Sequence, residues 1–132
     1  MSSKEYLKRC EQERAEAKAA LIAREETFDA AVAANPELYK SLKQAARDTR
    51  KAFKEIDTKY RKLERAQAAA RELKVALEDC EVDAREFMYS VTLLASIDKR
   101  LQPILQRRNE AMDTVEAAEN ALNEHFPDHD LA

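Results

Sequence analysis

From Leu42 the chain places small or apolar residues at alternating steps of three and four. The seam runs through Leu42, Ala45, Thr49, Ala52, Ile56, Lys59, Leu63, Ala66, Ala70, Leu73, Leu77, Cys80, Ala84, Phe87, Val91 and Leu94. A 3.5-residue repeat sustained this long predicts helices in a left-handed supercoil against a partner helix. Ahead of it, Leu7, Cys10, Ala17, Leu21, Phe28 and Ala31 trace a thinner stripe, interrupted by Arg14 and Arg24. Behind it, Ile104, Leu105, Met112, Val115, Ala118, Leu122 and Phe126 form a third.

Local signals set the boundaries. Ser2 with Glu5 is a capping-box pair, which opens helix 1 at about residue 3. Asn35-Pro36-Glu37 joins an N-cap side chain, a proline suited to the first helical position and a carboxylate facing the positive helix end. Helix 1 is therefore expected over residues 3–34 and helix 2 from residue 36. Pro103 lacks the N–H that a helix interior needs and biases Gln102 away from helical geometry, so helix 2 is expected to end at residue 101 and helix 3 to span 103–126. Helix 2 would then reach roughly 100 Å at 1.5 Å per residue. Asp83 with Glu86 is the place where a second capping box would divide it near residues 80–83, giving a four-helix bundle. The tail 127–132 is expected to fray.

The expected fold is all-α, with long antiparallel coiled-coil helices arranged as hairpins or a bundle in a single domain, and no β-structure. Helix 1 would pair with the first half of helix 2, and helix 3 with its second half. Composition supports this. Among 132 residues there is no Gly, Pro occurs three times, Ala fills 24 positions and 37% are charged. Without Gly, tight hairpin turns and the usual phosphate-cradling loops lose their default residue. No apolar run is long enough to span a bilayer, and two cysteines 70 positions apart suit reduced thiols in a cytoplasmic setting better than a disulfide framework.

The net charge of −3 conceals a segregation: residues 1–39 carry −2, residues 40–74 carry +7 and residues 75–132 carry −8. Lys40, Arg47, Lys54 and Arg61 recur every seven residues, with Lys43, Arg50, Lys51 and Arg65 on flanking rows. This basic face would grip phosphates or an acidic protein face, or simply be solvated. Tyr39, Phe53 and Tyr60 lie nearer the buried side than this stripe, so nucleic-acid contact would be directed at the backbone.

The densest apolar stretch is FMYSVTLLASI, residues 87–97. Phe87, Met88, Tyr89, Leu93, Leu94 and Ile97 form the candidate interface, because Tyr89 and Leu93 fall on the side away from the seam. No catalytic set is expected. Cys10 and Cys80 sit on the seam with no base nearby, and Pro127 breaks the spacing that would aim His125 and His129 at one metal ion, so no metal or cofactor is expected. The expected role is protein–protein interaction by a small helical adaptor, inhibitor or assembly factor, a style suited to a phage-borne or mobile-element modulator of a host complex. It would act as a homodimer joined through residues 87–97, on a protein partner and away from membranes. Nucleic-acid binding by the basic face is the alternative, and a structural spacer or scaffold the third reading.

Overall fold

A computed structural model describes residues 2–80 and 83–131. The protein is all-α, with three long helices: α1 (Ser3–Ala34), α2 (Pro36–Asp79) and α3 (Ala84–His125). A short 3₁₀ helix, His129–Leu131, follows α3. No strand occurs among the described residues. Packing divides the chain into two compact units, Met1–Ala45 with Ala118–Ala132, and Ala46–Ala117.

In the first unit, α1 opens as its sequence dictates. The Ser2 hydroxyl accepts the Glu5 N–H at 3.2 Å and the Glu5 carboxylate accepts the Ser2 N–H at 3.2 Å. At the far end a single residue joins two helices. The Asn35 N–H donates to the Ala31 and Val32 carbonyls, while its side-chain oxygen accepts the Leu38 N–H at 3.3 Å and its carbonyl accepts the Tyr39 N–H. Asn35 thus satisfies orphan groups of both helices within one residue.

The core of this unit is aromatic. Tyr39 stands edge-on to Phe28, with ring centroids 5.6 Å apart, and to Phe126 at 5.0 Å. Leu122 is buried with them. The tail expected to fray is instead tied down. Phe126 ends 3% exposed, and Asp128 accepts two hydrogen bonds from Arg24, the shorter at 2.7 Å. Ala132 lies outside the described residues.

The stripe expected to pair helix 1 along helix 2 is mostly exposed. Phe28 is the one buried residue of α1, while Tyr6, Leu7, Leu21 and Ile22 are exposed. The stripe has few large side chains and carries Arg14 and Arg24 within it.

The second unit holds the α2 segment from Ala46 and the α3 segment to Ala117, packed antiparallel. Asp57 meets Arg108 and Gln67 meets Asp98, two pairs mirrored about the same point of the chain. The continuous helix expected over residues 36–101 is two helices. α2 ends at Asp79, Cys80 stands in a turn, and the Asp83 carboxylate accepts the Arg85 N–H at 3.0 Å to start α3. Glu81 and Val82, on which the alternative break partly fell, lie outside the described residues. Uninterrupted helix would leave both seams facing water; turning back buries each against the other.

The seam itself is half of the one expected. Leu42, Thr49, Ile56, Leu63, Ala70 and Leu77 are buried or half-buried, as the spacing requires. The alternate row is Tyr39, Ala46, Phe53, Tyr60, Gln67 and Lys74, while Ala45, Ala52, Lys59, Ala66 and Leu73 are exposed. Two rows flank the shared one, and burial favours the row carrying aromatic rings over one dominated by alanine. On α3 the seam runs Phe87, Ser90, Leu94, Ile97, Leu101, Ile104, Arg108, Ala111 and Val115, continuing in the first unit as Ala118 and Leu122.

That seam crosses Pro103, where a helix end was expected. Pro103 is exposed, between the buried Leu101 and half-buried Ile104. The carbonyl that loses its helical partner is that of Lys99, which is itself exposed.

Candidate protein-interaction surfaces

The second unit gathers its polar chemistry around one cation. Arg108 occupies a seam position, where its guanidinium lies 5.5 Å from the Phe53 ring centre and 5.1 Å from that of Tyr60. Its Nε donates to Asp57 Oδ1 at 2.7 Å, while Arg61 on the same turn of α2 donates to Asp57 Oδ2 at 2.8 Å. Charge-assisted hydrogen bonds to both oxygens hold the Asp57 carboxyl below the usual aspartate range, Arg108 contributing most. Tyr60, hydrogen-bonded to Glu64 and partly desolvated, is pushed above the usual phenol value. This is a register lock between helices.

The six residues expected to form the interface separate into two groups. Phe87, Leu94 and Ile97 belong to the seam and are half-buried in the second unit. Ser90 is fully buried beneath them, its hydroxyl donating to the Phe87 carbonyl at 2.6 Å. Met88 and Tyr89 are exposed, at 56% and 67%, and Leu93 is half-buried. The mirrored pairs that set the register put Leu73 of α2 level with Thr92, next to Leu93, and Leu73 is itself exposed at 40%, while Val75, exposed at 54%, lies about 200° round the helix from Leu73. The apolar surface on the Leu93 side thus includes Leu73, which the heptad spacing had assigned to the seam. Its surroundings are acidic: Glu72, Glu78, Asp79, Asp83 and Glu86 against Lys74 and Arg85.

The basic residues stay on the outside of α2. In the second unit Arg47, Arg50, Lys51, Lys54, Arg61 and Arg65 are exposed, with Arg61 committed to Asp57. In the first unit Lys40 is exposed, whereas Lys43 is half-buried, donating to the Tyr39 hydroxyl at 2.9 Å and lying 5.2 Å from its ring centre. Lys43 is therefore part of the aromatic core's edge. Arg24 carries a raised pKa, chiefly from its hydrogen bond to Asp128. His129 pairs with Asn123, and His125 is exposed at the end of α3. The two histidines do not share a partner.

Of the hollows in the second unit, one of about 310 Å³ is lined by Asp48, Thr49, Ala52, Ala111 and Thr114, where small side chains thin the seam. It is open, and Asp48 is its one ionisable group. No helix of the described residues is long and apolar enough to cross a membrane.

The fold and these surfaces define an all-α, coiled-coil-like helical protein with exposed apolar patches. No family model, curated protein or solved structure matches the chain.

Proposed function

We propose that this protein is a non-enzymatic interaction module that binds a protein partner through the end of the second unit where Leu73, Met88, Tyr89 and Leu93 lie. The observation that carries this reading is Tyr89, a large side chain left 67% exposed beside Met88 at 56%. Exposed aromatic and methionine side chains grouped on a helical surface are the usual anchors of a docked helix. The acidic surroundings select a partner helix with basic flanks, which steers encounter and excludes acidic competitors. Occlusion or bridging is the resulting mode of action, as in an adaptor, inhibitor or assembly factor. A homodimer through the same stretch keeps only Met88, Tyr89 and Leu93 as available contacts, since Phe87, Leu94 and Ile97 already face α2; a foreign helix is the better occupant.

Catalysis has no place in this reading. The ionisable groups with perturbed pKa values are held in ion pairs or hydrogen bonds that lock helices together, and the open hollow at Asp48 excludes no water.

The test is binding after paired substitutions. Met88→Glu with Tyr89→Glu abolishes retention of the partner while helix content and melting temperature stay at wild-type values. Reversal at Arg47, Lys51 and Lys54, all exposed, leaves retention intact. The opposite pattern would transfer the function to the basic face and to nucleic acid, the reading favoured by the exposure of those three cations.

A further inference from the structure

The first two-thirds of α1 carries a heptad stripe of mixed character whose leucines are exposed. Leu7 is 59% exposed and Leu21 43%, with Cys10 between them half-buried. Together with Arg14, Ala17 and Arg24 they occupy successive core positions of a heptad repeat. Charge identifies what covers the stripe. Along one flank Lys4, Glu11, Lys18 and Glu25 follow at seven-residue steps with alternating sign, all four exposed and none in an ion pair among the described residues.

We propose that α1 is a self-association segment, pairing antiparallel with α1 of a second copy of this chain about a twofold axis between Ala15 and Glu16. In antiparallel coiled coils, residues of the same flanking row face each other across the interface. The twofold then sets Lys4 against Glu25 of the other copy and Glu11 against its Lys18, and the symmetry repeats both pairs. All four contacts join opposite charges. Sliding one helix by a heptad in either direction would set lysine against lysine and glutamate against glutamate, so the row specifies a single register.

The core layers agree with this choice. Leu7 meets Arg24, Cys10 meets Leu21, and Arg14 lies over Ala17, a long side chain against a small one. Arg24 keeps its hydrogen bonds to Asp128 at each end of the contact. The other flank carries Tyr6, Glu13, Ala20 and Thr27, where no two like charges meet. A parallel pair in register would stack Arg14 on Arg14 and Arg24 on Arg24 inside the interface, which disfavours it. The contact spans about three heptads, near the low end of stable interfaces, so association in the micromolar range is expected.

The experiment is sedimentation of the full-length protein with two charge-row variants, in a Cys80→Ser background. Wild type dimerises reversibly. Lys4→Glu with Lys18→Glu makes the row wholly acidic, Glu11→Lys with Glu25→Lys makes it wholly basic, and each weakens self-association at least about tenfold without loss of helix content. Mixed in equal amounts, the two variants form a heterodimer. Orientation is read separately: L21C yields an intermolecular disulfide with Cys10 under mild oxidation, whereas Cys10 alone does not link to itself. A wild-type chain that stays monomeric at high micromolar concentration would overturn the proposal, as would variants that dimerise like wild type, a mixture that does not associate, or a Cys10–Cys10 disulfide. Met88→Glu with Tyr89→Glu leaves dimerisation unchanged, so failure of the partner-binding reading and failure of this one are distinguishable.

Discussion

Arg108 illustrates what single residues contribute here. A cation in a helix seam costs desolvation, and it is tolerated because two rings and the Asp57 carboxylate surround it. Asp57 is the titrating partner. Its pKa lies below the ordinary aspartate value in the folded chain, so its contribution is complete above about pH 4 and is lost as pH falls through that value towards the lower folded one. The stability difference between wild type and Asp57→Asn should accordingly be constant near neutrality and shrink below about pH 4, as followed by denaturant titration across pH. A difference indifferent to pH would mean that Asp57 is not paired as described. None of this was legible in the sequence, where Arg108 reads as one more surface cation. A signal existed in the spacing of Phe53 and Tyr60, seven apart on one row with Tyr39 fourteen before, which marks a buried row rather than a flank.

Elements were legible where side chains act on their own backbone and obscure where distant contacts decide. The span of α1 follows directly from Ser2, Glu5 and the Asn35-Pro36 boundary, all local chemistry. The division between Asp79 and Ala84 is marked in the sequence by the Asp83–Glu86 pair but by no strong breaker; its cause is the burial of one seam against the other. Pro103 erred the other way. A residue that ends helices in isolation is carried inside α3 because its neighbours Leu101 and Ile104 are anchored and its own face is wet. Pro103→Ala should therefore raise the stability of the protein by about 1 kcal/mol or more, with no change in fold, as measured by chemical denaturation. A destabilised variant would show that the proline is structurally required. The seam was right in one row and displaced in the other. A heptad pattern with alanine on one flank and rings on the other is ambiguous until side-chain volume is weighed along with apolar character.

At the scale of the whole molecule, fold class followed from composition and periodicity, while the pairing of α1 did not. Phe28 is the residue of its stripe that is buried, and the remainder carries the charge row on which the proposed pairing with a second copy rests. The candidate interface was legible in Met88, Tyr89 and Leu93, whose positions off the seam could be counted. It was not legible in Leu73, which joins it only once the antiparallel register is known. The segregation of charge has a consequence at this scale too. A basic outer face on α2 and an acidic surround at the apolar patch make protein and nucleic acid separable candidates, since they would use different surfaces. The decisive measurement is affinity capture of the tagged protein from lysate, with and without nuclease, and with a salt series. The account predicts a stoichiometric protein that survives nuclease and is released by Met88→Glu with Tyr89→Glu. Retained nucleic acid, or proteins lost on nuclease treatment and at high salt, would contradict it.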